Sequence, residues 1–186
     1  KENLAYCGVV DARNHVLGMV TKSDFSVVGL DDTARSIDIL AHTPVENIRK
    51  TINGSIVYDD PNVAVNGKVS IIAMTYPEHL DRYEVEKRIV IVGADTMAQK
   101  KCIQLGAGML IIVWADTVDE SVIEEAKKHH CPIIRSGHGT MNTSRYLYFA
   151  PSVERIMKKN PVLFHTNELA EDVGVKMLRN RYRAYP

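Results

Sequence analysis

Apolar and polar positions along this chain change period several times, and each change marks an element. Val9-Val10 and Val16-Leu17-Gly18-Met19-Val20 are two apolar arms around the polar turn Asp11-Ala12-Arg13-Asn14-His15, the pattern of a β-hairpin. Phe25-Ser26-Val27-Val28 then opens a helix, and Gly29, Asp31, Asp32 and Thr33 read as a polar linker. Thr43-Pro44-Val45-Glu46 predicts a helix start, with Thr43 at the N-cap, Pro44 at the first helical position and Glu46 closing a capping box; Asn53-Gly54 ends that helix. The next hundred or so residues alternate apolar runs with amphipathic segments. The runs are Ser55–Tyr58, Lys68–Met74, Ile89–Gly93, Met109–Trp114 and Pro132–Arg135; Ile89–Gly93 is uniformly apolar and is expected at the centre of a sheet. Helical segments are expected near 78–86, 96–106 and 118–130. In the last of these, Val118, Val122, Ile123 and Ala126 share a face opposite Glu120, Glu124, Lys127 and Lys128. This βα rhythm predicts an α/β fold with a mostly parallel sheet covered by helices. Beyond it, Thr143 to about Met157 reads as a helix interrupted and restarted at Pro151, and Asn160-Pro161 as a break. Val162-Leu163-Phe164 reads as a short strand and Glu168 to Arg179 as a helix with Leu169, Val173, Met177 and Leu178 on its apolar side. Ala184-Tyr185-Pro186 begins another strand.

Charge removes some functions. Lys plus Arg and Asp plus Glu are equal at 23 each, so no global field directs the chain to nucleic acid or to an anionic membrane. The longest apolar runs are too short to span a bilayer, and no secretory leader is visible, although Lys1 is not a natural start. Cys7, Cys102 and Cys131 form no CxxC pair; scattered and odd in number, they predict reduced thiols and a cytoplasmic location. His129-His130-Cys131 with His138 matches no standard zinc spacing and reads as solvated histidines at a helix end.

The chemistry concentrates at Thr21-Lys22-Ser23-Asp24. A strand that stops at a helix start leaves backbone N–H groups that attract phosphate. Thr21 and Ser23 add hydroxyls, Lys22 adds a cation, and Asp24 can accept hydrogen bonds from both hydroxyls of a ribose. The same Thr-x-x-Asp spacing makes an ordinary capping box, so these four residues alone leave both readings open. Gly93-Ala94-Asp95-Thr96 ends an apolar strand, where α/β sheets place ligands, but neither nucleotide-binding glycine signature occurs. It reads as a tight turn with Asp95 or Thr96 as N-cap. Gly137-His138-Gly139-Thr140 lies at an equivalent edge. No nucleophile, acid pair or orienting carboxylate is spaced around His138, so it reads as a turn or a subunit contact.

The two ends of the chain spell one module. Cys7-Gly8-Val9-Val10-Asp11 followed by Gly18 through Asp24 resembles the second half of a cystathionine-β-synthase-type (CBS) domain, with Gly8 where proline is usual. Met157-Lys158-Lys159-Asn160-Pro161-Val162, a helix, and Tyr182 to Pro186 resemble its first half. The middle, about 42–148, resembles a DRTGG domain through Asn53-Gly54, the βα alternation and Gly137-His138-Gly139-Thr140 leading into Met141-Asn142-Thr143-Ser144. A DRTGG domain between CBS repeats resembles the regulatory insert of CBS-containing family II inorganic pyrophosphatases. The resemblance implies three segments: residues 1–41, the second half of one CBS repeat plus linker; 42–148, the DRTGG domain; and 149–186, the first half of another repeat.

It also implies a role: an adenine-nucleotide-sensing region that controls an attached pyrophosphatase as paired CBS repeats rearrange. AMP, ADP, ATP or a diadenosine polyphosphate would be the regulatory ligand. Asp24 would take the ribose, with Thr21, Lys22 and Ser23 on the phosphate side. Asn160, Val162 and Leu163 would line the adenine. Arg183 would pair with phosphate, and Tyr185 would stack on the base or donate its hydroxyl, with Ala184 and Pro186 beside the same cleft. The resemblance implies a homodimer and, as partners, catalytic domains in the same protein. No catalytic residues are expected in this chain; manganese or cobalt would serve the catalytic domains. Rival readings are a small α/β enzyme acting on a phosphorylated substrate near Asp95 and His138, or a purely structural dimerisation module.

Overall fold

The computed structural model describes residues 6–26, 34–72 and 77–180. In chain order the elements are β1 (Tyr6–Val10), β2 (Val16–Thr21), α1 (Lys22–Ser26), α2 (Ala34–Ala41), α3 (Val45–Thr51), β3 (Ser55–Tyr58) and β4 (Val69–Ile72). A 3-10 helix (Pro77–Arg82) precedes β5 (Ile89–Val92), α4 (Thr96–Gln104), β6 (Met109–Ile112), α5 (Glu120–Lys128) and β7 (Ile133–Arg135). Then come α6 (Thr140–Leu147), α7 (Val153–Ile156), β8 (Lys158–Lys159) and α8 (Ala170–Asn180). The chain divides into two compact units, Lys1–Val27 with Val153–Pro186, and Val28–Ser152.

The larger unit is built on a five-stranded sheet of order β3-β7-β6-β5-β4, parallel except for β3, which pairs antiparallel with β7. Register explains why its central strands are apolar at every position. Ile89 and Ile91 of β5 join Met109, Ile111 and Ile134 in one core cluster, where Leu40 of α2, Ile48 and Ile52 on and just past α3, and Leu147 of α6 pack. Val90 and Val92 join Leu110, Ile112 and Ile133 in a second cluster, with Ala98, Cys102 and Ile103 of α4 and Val122 and Ala126 of α5. A pleated strand sends alternate side chains to opposite faces, and here both faces are covered by helices. The middle strand is β6, with the uniformly apolar β5 beside it, rather than β5 itself.

Three local expectations fail for identifiable reasons. Thr43 does not cap α3. Helix α2, which no signal in the linker announced, ends at Ala41, and the Thr43 hydroxyl donates back to the Ile39 carbonyl at 2.9 Å, satisfying an orphan acceptor of that helix. Pro44 takes the N-cap position without a side-chain bond, and Glu46 pairs with Arg49 at 2.7 Å instead of closing a box. The 78–86 segment is a 3-10 helix ending at Arg82. Val162-Leu163-Phe164 forms no strand; the pairing occurs earlier, in β8, and Pro161 has no N–H to extend the ladder. Elsewhere the caps behave: the Asp95 carboxylate accepts from the Ala98 amide at 2.7 Å and Asp119 from Ser121 at 2.9 Å.

The smaller unit has a three-stranded antiparallel sheet, β1-β2-β8. Gly18 of β2 pairs with Lys159, and a methyl group there would lie 2.6 Å from Met157 Sδ and 2.7 Å from the Lys158 carbonyl oxygen. Only glycine lets the two segments approach this closely.

Candidate functional site

At the end of β2 the four singled-out residues come together. Asp24 Oδ2 accepts from the Thr21 amide at 2.7 Å and from Thr21 Oγ1 at 2.7 Å, while Thr21 Oγ1 and Ser23 Oγ lie 2.8 Å apart. These bonds are those of a cap, and they fix the Asp24 carboxylate at the strand end. Its side chain is only 10% exposed, and Lys158 Nζ stands 3.8 Å from Oδ1. Lys22 and Ser23 are exposed. The result is an oriented carboxylate flanked by hydroxyls and cations, able to accept from a polyol and attract an anion at adjacent points.

Lys158 is the member that sequence reasoning missed. It is carried by β8, which the β2–β8 register sets opposite Met19, and no local pattern links it to Asp24. Asn160 follows β8 with φ 56°. It lies one residue beyond Lys159, the partner of Gly18, at the end of the β2–β8 ladder away from Thr21. Val162 is half-buried and Leu163 exposed. Arg183, Ala184, Tyr185 and Pro186 lie outside the described residues.

The other candidates resolve into structural roles. Asp95 is occupied as the α4 cap. The His138 ring packs edge-on against Tyr146 with centroids 5.0 Å apart. Among the described residues no three His, Cys, Asp or Glu side chains cluster as a metal site. His130, with φ 52°, places Nδ1 2.9 Å from buried Asp60. Asp60 also accepts from the Tyr58 hydroxyl at 2.6 Å and the Asn62 amide at 2.8 Å. These bonds, the Tyr58 hydroxyl foremost, hold the Asp60 carboxyl down at about 2, and Asp60 in turn pushes the Tyr58 phenol up to about 12. Burial raises the thiols of Cys102 and Cys131 to about 12, so neither is a nucleophile near neutral pH. No helix among the described residues is long and apolar enough to cross a membrane.

The chain is similar to known proteins over nearly its whole length. The whole chain is similar to the cobalt-dependent inorganic pyrophosphatase of Clostridium perfringens, 31% identical over 187 aligned positions. It is also similar to a probable manganese-dependent inorganic pyrophosphatase of Thermotoga maritima, 22% identical over 94% of the chain. It spans about a third of each, 34% and 32% of their lengths. Among solved structures it superposes on the CBS and DRTGG domains of the regulatory region of C. perfringens pyrophosphatase, crystallised with the activator diadenosine tetraphosphate. The TM-score is 0.83 at 30% identity, covering 99% of this chain and 80% of that one. The DRTGG domain profile matches residues 47–149, more than half of the sequence, and the chain therefore belongs to the DRTGG domain family.

Proposed function

We propose that this chain is the nucleotide-sensing regulatory region of a cytoplasmic inorganic pyrophosphatase that works as a homodimer. The observation that carries this reading is the likeness, over nearly the whole chain, to a pyrophosphatase regulatory region that binds diadenosine tetraphosphate. Adenine nucleotides bind at CBS-type clefts, where Asp24 receives the ribose hydroxyls and Thr21, Lys22 and Ser23 face phosphate. Lys158 adds positive charge beside Asp24. Asn160, Val162 and Leu163 line the base side of a cleft, with Arg183, Ala184, Tyr185 and Pro186 beside it. Regulation follows if mononucleotides such as AMP, ADP or ATP and bis-adenosine ligands favour different arrangements of the repeats. Manganese or cobalt serves the catalytic domains and not this region.

Calorimetric titration of the full-length protein with AMP and with diadenosine tetraphosphate tests the reading, with phosphate release followed in parallel. Asp24→Ala is expected to weaken binding about 10- to 100-fold, the loss of charge-assisted hydrogen bonds, and to flatten the response of phosphate release. Unchanged affinity in Asp24→Ala and in Thr21→Val, with circular dichroism showing both folded, overturns it.

A further inference from the structure

The carboxyl edge of the five-stranded sheet carries a feature that the CBS reading leaves unused. A cleft of about 560 Å³ opens there, lined among others by Ser55, Trp114, Asp116, Arg135, Ser136 and His138. We propose that this cleft is a second ligand site, selective for a small molecule joining an aromatic base to a phosphate, a mononucleotide.

Position favours it. Parallel strands β6 and β7 end at this edge, delivering Trp114 and Arg135, and ligands of α/β sheets gather outside such ends. The volume lies in the range of small-molecule sites. Trp114 is 75% exposed, with a left-handed backbone at φ 60°. A bulky side chain seldom adopts that conformation. Its indole rests against Gly139, where a methyl group would come within 2.2 Å of Cζ2. The chain thus braces a large apolar ring in solvent instead of burying it, which suits a platform on which a planar base stacks.

Charge supplies the other half. Arg135 is half-buried at the end of β7, and Asp116 lines the same cleft, yet among the described residues neither is in an ion pair, with the other or with any third group. A guanidinium in a cleft without a carboxylate partner is matched by phosphate, and Asp116 can accept from ribose hydroxyls. The loop that follows Arg135 is already ordered: Ser136 Oγ lies 2.7 Å from Thr143 Oγ1 and accepts from the His138 amide at 3.1 Å. This site lies wholly within the larger unit and does not depend on the regulatory reading.

The chain has a single tryptophan, Trp114, so its emission comes from this cleft. The 186-residue chain is titrated with AMP, GMP, CMP, adenosine and inorganic phosphate. Saturable quenching by at least one mononucleotide, reversed by excess inorganic phosphate, is expected. Arg135→Gln should weaken it at least tenfold and Arg135→Lys partly restore it, while Asp24→Ala leaves it unchanged. Three results overturn the proposal: no quenching by any mononucleotide; quenching lost in Asp24→Ala but kept in Arg135→Gln, where tryptophan only senses the other cleft; or emission that follows protein concentration and ignores nucleotide, which makes the face a contact between copies.

Discussion

Asp60 shows how much one buried side chain organises. It holds Tyr58 at the end of β3, Asn62 in the following loop and His130 beyond α5, tying segments seventy residues apart. Its carboxyl is held at about 2 against an ordinary 3.8, so its contribution to stability is present above 3.8 and lost as pH falls towards 2. The Tyr58 phenol is shifted the other way, from 10 to about 12; its contribution is present below 10 and lost as pH rises through 12. Melting curves of the parent and of Asp60→Asn should therefore differ by a constant amount near neutral pH and converge through the acid window, while Tyr58→Phe converges on the parent in the alkaline one. A difference independent of pH would contradict this. Thr21 and Asp24 teach a related lesson: the capping bonds that Asp24 accepts also orient its carboxylate, so a cap and the proposed ligand contact are compatible readings of that spacing.

Elements were legible where one pattern dominated. The interior strands β5 and β6 and helix α5 announced themselves through unbroken apolar runs and a clean 3.6-residue stripe, because burial on both faces or on one leaves that imprint. What was hidden depended on partners distant in sequence. Helix α2 lies beside a polar stretch and shows its purpose only when Leu40 meets Ile48 and Leu147. Thr43 looked like a cap because the helix before it was not visible. Of the candidate site, the Thr21–Asp24 cluster could be read locally, whereas Lys158 required the β2–β8 register. Gly18 is the hinge of that register. Gly18→Ala forces a methyl group against Met157 and the Lys158 carbonyl, and overpacking of this kind costs about 1–3 kcal/mol. Hydrogen exchange of the Val16–Thr21 amides should accelerate in that variant, with β5 and β6 unaffected; equal acceleration throughout would show the ladder to be no local element.

At the scale of the molecule, the smaller unit is assembled from two segments, one before and one after the larger unit in sequence. Pairing β2 with β8 closes a loop of roughly 140 residues when the insert is unfolded. Once Leu40 and Ala150 meet in the same core cluster, the open chain is only about 30 residues. That shortening lowers the entropic cost of closure by about 1.4 kcal/mol, roughly a tenfold gain. Pulse-labelled refolding should accordingly protect β5 and β6 before the β2 amides that face β8. Simultaneous protection would mean that the ends find each other unaided.

The same architecture sets an order for biosynthesis. Among the described strands, β1 and β2 are translated before the larger unit and β8 after it, so the β2 edge that β8 covers waits for this partner until the whole larger unit has followed. For that interval the nascent chain carries an open strand that any extended segment can pair with. Translation speed through the insert, and the chaperones that meet the chain meanwhile, decide how long the bare edge stays exposed.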